Sequence, residues 1–214
     1  LTLISQYNLK AITFTGSNGV GQSILNTAGA THKKIQLELG GKNAAIILAD
    51  ADLSLAAKLT MEGAMKQTGQ RCTATSRVYI EEAIYEQALE QLIAEAKKIE
   101  VGVTMGPVAS KGQYESILAA IDKAKEEGAQ LVYGGGPTQS KEEGYFIDPT
   151  IFTNVTHDMA IAREEIFGPV LAVMKVKDYE EAIRLSNDSA FGLSASIYTT
   201  NIQKAFDFIN RSEV

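Results

Sequence analysis

Residues 43–48, Asn-Ala-Ala-Ile-Ile-Leu, form an almost wholly apolar run that stops at Asp50. A half-buried strand alternates polar and apolar residues. A run without alternation is a strand covered on both faces, as in a parallel sheet. A stretch of helical period follows at once over 52–67, with Leu55, Leu59, Met61, Gly63 and Ala64 read as its inward side. The same alternation recurs along the chain. Strands are expected at 11–15, 33–39, 78–80, 131–133, 170–176 and 194–198, with an extended stretch at 145–152 broken at Asp148-Pro149. Helices are expected at 20–30, 82–99, 110–127, 178–187 and 202–209, the fourth capped by Asp178. In the helix at 82–99, Ile84, Ala88, Leu92 and Ala96 repeat every four residues. The pattern predicts an α/β fold, a mostly parallel sheet flanked by helices.

At 214 residues the chain can bury a full core. Its net charge of −6 and scattered Lys and Arg exclude a nucleic-acid footprint. No apolar run approaches the ~20 residues that span a bilayer. One cysteine makes no internal disulfide, which points to a reducing compartment, most simply the cytoplasm. With His32 and His157 far from it and from each other, no zinc spacing exists, so no metal is expected. The start at Leu1, without Met and with no strand before residue 11, and the stop at Val214 read as the ends of a piece of a longer enzyme.

Four segments have settings that suit chemistry. The lone cysteine, Cys72, lies in Thr-Gly-Gln-Arg-Cys-Thr at 68–73. A thiolate needs cations or backbone N–H groups nearby. Arg71 is adjacent, and 73–75 is read as the opening of a helical turn facing the sulfur. The plain alternative is an inert buried cysteine. Glu38 stands alone among Ile35, Leu37 and Leu39, on the opposite strand face, before the Gly40-Gly41 pair. A partly desolvated carboxyl suits general-base work; the alternative is a solvated strand residue. Residues 14–21, Phe-Thr-Gly-Ser-Asn-Gly-Val-Gly, place glycines and a hydroxyl between a strand and a helix. That is a possible phosphate seat or an ordinary capped turn. Residues 163–169, Arg-Glu-Glu-Ile-Phe-Gly-Pro, offer a carboxylate for ribose hydroxyls and an aromatic ring for a flat partner, or a charged loop with one anchor.

Taken in order, Phe-Thr-Gly-Ser at 14–17, Leu-Glu-Leu-Gly-Gly-Lys at 37–42, Gly-Gln-Arg-Cys at 69–72 and Glu-Glu-Ile-Phe-Gly-Pro at 164–169 resemble the aldehyde dehydrogenase superfamily. Within it, Arg-Cys followed by Thr-Ala-Thr-Ser-Arg is most similar to 2-oxoglutarate semialdehyde dehydrogenases. The resemblance implies a Rossmann-like fold, with residues 1–37 as the end of an NAD(P)-binding domain and 38–214 as a truncated catalytic domain. It implies Cys72 as nucleophile and Glu38 as base. It places Gly16 and Ser17 by the nicotinamide and pyrophosphate, Leu39 by the nicotinamide amide, Glu165 on the nicotinamide ribose and Phe167 by its ring. Gly19 departs from the side chain more usual there. The resemblance further implies NAD or NADP as cofactor, a small aldehyde as partner, and a homo-dimer or tetramer as the assembly.

The implied reaction is oxidation of an aldehyde to an acid through a cysteine thioester, with Arg71 either pairing the far carboxylate of a semialdehyde or serving the thiol or a loop. Glu38 favours water over coenzyme A as acyl acceptor, the coenzyme A-acylating enzymes being the alternative. Two further readings stand beside it. One is that these residues alone are a folded or assembly core without activity. The other is a cysteine hydrolase using His32 or His157, neither of which has the required setting.

Overall fold

The computed structural model describes residues 4–5, 8–30, 32–139 and 143–213. Leu1 and Val214, at the ends that read as abrupt, lie outside the described residues. Two compact units divide between Gly40 and Gly41: Leu1–Gly40 and Gly41–Val214. Glu38 belongs to the first of these compact units.

In the first unit β1 (Ala11–Thr15) and β2 (Lys34–Glu38) pair in parallel, Ala11 opposite Lys34 through Thr15 opposite Glu38. The helix between them is α1 (Asn18–Gly29). Its sequence holds three glycines, Gly19, Gly21 and Gly29, each costing about 1 kcal/mol of helix propensity against Ala. Packing compensates: Ile24 and Ala28 are buried against Ile12, Phe14, Ile35 and Leu37, the alternate residues of the two strands.

The second unit is built on β3 (Asn43–Ile47), β4 (Thr75–Glu81), β5 (Gln130–Tyr133), β6 (Thr150–Thr153), β7 (Val170–Val176) and β8 (Ala195–Tyr198). They form one sheet in the order β5-β6-β7-β4-β3-β8, parallel except for β5 against β6. Helices α2 (Leu53–Met65), α3 (Tyr85–Ala96), α4 (Lys111–Glu126), α5 (Ala160–Arg163), α6 (Tyr179–Asn187) and α7 (Ile202–Arg211) complete it. Successive residues of the continuous apolar run point to opposite faces. Ala44, Ile46 and Leu48 join Ile117 and Ile121 of α4 and Ala182 and Ile183 of α6. Ala45 and Ile47 join Met61 and Met65 of α2 and Ala88, Leu92 and Ala96 of α3. Both faces are covered, as an unbroken apolar strand requires. Among the described residues no helix is long and apolar enough to cross a membrane.

Some expectations are corrected. Leu55 and Leu59 are not inward: they are 51% and 41% exposed. Helix α2 instead buries Ala56, Thr60 and Ala64, a ridge of small residues, together with Met61. It ends at Met65 rather than at 67, because Gln67 and Thr68 adopt left-handed backbone (φ 54° and 61°). The helix expected over 82–99 opens as a 3-10 turn, Glu82–Ile84, and Tyr85 takes the buried place read for Ile84. The short α5 was not anticipated. Asp52, Ser110 and Asp178 each accept a hydrogen bond from a first-turn backbone N–H, capping α2, α4 and α6.

Candidate active site

Strands β7, β4, β3 and β8 are neighbours and parallel, so their N-terminal ends lie together at one end of the sheet. The segments just before them carry most of the candidate chemistry: Glu165 to Pro169 before β7, Arg71 and Cys72 before β4, Gly41 and Lys42 before β3, and Ser194 before β8. Three motifs far apart in the chain are gathered by strand order alone.

Cys72 is exposed and sits in a tight turn closed by the Ala74 N–H donating to the Arg71 carbonyl at 3.0 Å. The helical turn expected at 73–75 does not form; Thr75 already opens β4, so no helix terminus faces the sulfur. The approach to the turn is constrained. Gln67, Thr68 and Gly69 are successive left-handed residues, a conformation costly for a β-branched side chain. A Cβ on Gly69 would lie 2.1 Å from the Gly168 carbonyl oxygen, so only glycine fits where these two loops meet. Thr68 Oγ1 donates to Gly106 O at 2.9 Å, and Gln70 Oε1 accepts from Ala109 N at 2.8 Å. Arg71 is half-buried. One of its guanidinium nitrogens donates to the Gly63 carbonyl of α2 at 2.8 Å, and its buried Nε has no partner. The Cys72 N–H forms no hydrogen bond among the described residues.

Glu165 is tied to this turn through the start of β3. The Gly41 N–H donates to Glu165 Oε1 at 3.0 Å, and a Cβ on Gly41 would lie 2.6 Å from the Cys72 carbonyl oxygen. Of the two acids, Glu164 points outward and pairs with Lys123 at 3.1 Å. Phe167 is 38% exposed in left-handed backbone (φ 54°), and Gln113 Nε2 holds the carbonyls of Ile166 and Phe167 at 2.9 and 3.1 Å. Lys42 is buried. Loss of hydration, with the Arg77 guanidinium beside it, lowers its pKa to about 7 against the opposing pull of Glu165 and Glu164. Arg77 is itself buried and donates to the Lys42 carbonyl at 2.9 Å.

Gly16, Ser17, Glu38 and Leu39 belong to the first unit. The Gly16 N–H donates to the Glu38 carbonyl at 3.1 Å. Ser17 caps α1 by position only, without a side-chain bond to the helix. Asn18 Oδ1 accepts from Gly40 N at 3.1 Å, and the Leu39 side chain fills the space where a Cβ on Gly21 would stand. Glu38 closes β2 on its exposed face, opposite Ile35 and Leu37 as expected; the partial desolvation anticipated for it is absent. His157 is committed to Asp188 at 2.9 Å and Arg163 at 2.6 Å, and no bond joins it to Cys72.

Sequence reading missed Lys42, Gln113 and Asn43 as parts of the site. Asn43 had a legible signal: a polar residue heading an otherwise apolar buried strand needs polar partners.

The family model described as the aldehyde dehydrogenase family matches residues 2–214. An alpha-ketoglutaric semialdehyde dehydrogenase of Bacillus subtilis is 49% identical over 210 residues, 94% of this chain and 43% of that protein. A 2,5-dioxopentanoate dehydrogenase of Saccharolobus solfataricus is 45% identical over 219 residues, 99% of this chain and 45% of that protein. The crystal structure of an NAD-dependent aldehyde dehydrogenase from Sinorhizobium meliloti superposes with a TM-score of 0.96 at 36% identity, over 100% of this chain and 44% of that one. The chain spans less than half the length of the curated relatives it matches.

Proposed function

The chain belongs to the aldehyde dehydrogenase family, and from that premise we propose that the complete gene product oxidises an acidic semialdehyde to a carboxylic acid, with Cys72 as nucleophile and Glu38 as general base. One observation carries the reading. The only thiol of the chain is exposed on a turn locked against Gly41, which in turn holds the Glu165 carboxylate. An inert structural cysteine is buried and needs no such scaffold.

The residues fit a dinucleotide. Ser17 spends no side-chain bond on the first turn of α1, so those N–H groups are open to a phosphate. Glu165 would hold the nicotinamide ribose, and the exposed Phe167 would pack beside the nicotinamide; the resemblance gives Gly16 and Leu39 of the first unit further roles toward the same cofactor. When bound, NAD or NADP supplies the hydride acceptor that converts the thiohemiacetal on Cys72 into a thioester. The NAD dependence of the Sinorhizobium meliloti relative favours NAD.

The chain's own groups do the rest. The Cys72 thiolate forms a C–S bond to the aldehyde carbon, and the carbonyl electron pair moves to oxygen. The unspent Cys72 N–H is a donor for that oxyanion, an interaction worth about 3–4 kcal/mol in comparable sites. Glu38 takes a proton from water, the hydroxide adds to the thioester carbon, and the C–S bond breaks to return the thiolate and release the acid. A carboxylate base is needed for water and not for a thiol acceptor, which favours hydrolysis over transfer to coenzyme A. The names of the Bacillus and Saccharolobus relatives favour a dicarbonyl or oxo-acid substrate.

A second reading concerns the 214 residues alone: a folded core without turnover, since they span only 43–45% of those relatives. Assaying both the chain and the complete gene product for aldehyde-dependent NAD(P)+ reduction separates the two. In the complete protein Cys72→Ala is expected to abolish that reduction; normal turnover in the variant would sink the assignment.

A further inference from the structure

Asn43 is 5% exposed and fully engaged at the first position of β3. Its Nδ2 donates to the Cys72 carbonyl at 2.7 Å and to the Ala74 carbonyl at 2.8 Å, while its Oδ1 accepts from the Ser194 N–H at 3.2 Å. Two carbonyls on one end and an N–H on the other leave a single orientation of the amide. Gly41 makes room for the arrangement, since a Cβ there would lie 2.8 Å from Asn43 Oδ1 as well as against the Cys72 carbonyl.

The direction of the Cys72 side chain and of its N–H is set by the two peptide planes on either side of its Cα. The plane before it is held by the bond from Ala74 N to the Arg71 carbonyl. The plane after it carries the Cys72 carbonyl, and Asn43 holds that one. With both planes fixed, the backbone dihedral angles of Cys72 are fixed, and so are its Cα–Cβ direction and the N–H that it offers. Without the Asn43 donors, the second plane can rotate and carry the thiol with it. The second bond, to Ala74, pins the far end of the turn.

We propose that Asn43 is a positioning residue for the nucleophile: it fixes the Cys72 backbone dihedral angles, setting the Cα–Cβ direction from which the sulfur is presented and the aim of the Cys72 N–H. The inference rests on the dehydrogenase reading above. Loss of aim, at unchanged binding, appears in the chemical step, where small misplacements cost ten- to a hundredfold.

The test uses the complete gene product with two variants. Asn43→Asp keeps the shape and the acceptor for Ser194, but sets a carboxylate oxygen against two carbonyls. Asn43→Ser removes the clamp without adding charge. Single-turnover reduction of NAD(P)+ by an aldehyde is measured with KM, cofactor Kd and a thermal melt. The expected result is a single-turnover rate lower by on the order of ten- to a hundredfold in both variants, with KM and Kd little changed. A wild-type rate in a folded variant, or a loss confined to KM or Kd, overturns the proposal. So does failure of both variants to fold, which would make Asn43 a support of the fold rather than of the thiol. If the wild-type protein reduces no cofactor, it is the dehydrogenase reading that has failed.

Discussion

Arg71 stands beside the nucleophile, but one arm of its guanidinium is bound to Gly63 O of α2. That bond explains why an arginine shapes this turn even if it never meets substrate. It also steadies the side chain, which lowers the entropic cost of using its remaining donors on a carboxylate. Of the two roles open to Arg71, pairing the far carboxylate of a semialdehyde is the one a substrate comparison can separate from service to the turn. A charge-assisted bond of this kind contributes about 1.5–3 kcal/mol. Arg71→Ala should therefore lower kcat/KM by about ten- to a hundredfold for an acidic aldehyde and much less for a neutral one of equal length. Equal losses for the two substrates would leave Arg71 only the turn. The sequence placed this residue correctly, next to the thiol, but could not say which way its guanidinium turns. The left-handed Gln67 and Thr68 were equally hidden, because a conformation imposed by Gly106 and Gly168 on other loops leaves no mark on the local sequence.

At the scale of elements, β3 carries the account. Its continuous apolar run announced a strand buried on both faces, and it is one. Its first residue, Asn43, and the two residues before it, Gly41 and Lys42, link to Cys72, Glu165 and Arg77 respectively. Helix α2 was harder to read, since both its leucine ridge and its alanine ridge have helical spacing. The alanine ridge is the buried one, a choice made by packing rather than by period. The buried Lys42 gives the element a pH signature. Its folded pKa of about 7 lies below the ordinary lysine value of ~10.4. Between these values the unfolded chain binds more protons than the folded one, so stability rises with pH across that window. Lys42→Met removes this dependence. The melting temperature of the variant minus that of the wild type should fall as pH is raised from about 7 to about 10. A difference that does not vary with pH would contradict the burial of a lysine that loses its charge.

At the scale of the molecule, strand order turns three scattered segments of the second unit into neighbours. The α/β class and nearly every strand were legible because alternating apolar runs and helical periods are local properties. Strand order is not local. That the loops before β7, β4, β3 and β8 meet at one end follows from non-consecutive pairing, which no stretch of sequence displays. The resemblance supplied roles for Cys72 and Glu38 ahead of any geometry. Geometry added the clamp at Asn43 and the backbone contact between Gly69 and Gly168, and removed the helix terminus imagined behind the sulfur. It also puts Glu38 and Cys72 in different compact units, Leu1–Gly40 and Gly41–Val214.

The central claim is a thioester on Cys72 that Glu38 clears, and mass spectrometry of the Cys72 peptide tests it directly. The complete Glu38→Gln protein is mixed with NAD(P)+ and a semialdehyde, quenched and digested. The account predicts an acyl adduct on Cys72 that persists, together with one equivalent of reduced cofactor per site. An unmodified Cys72 with turnover continuing at the wild-type rate would contradict it.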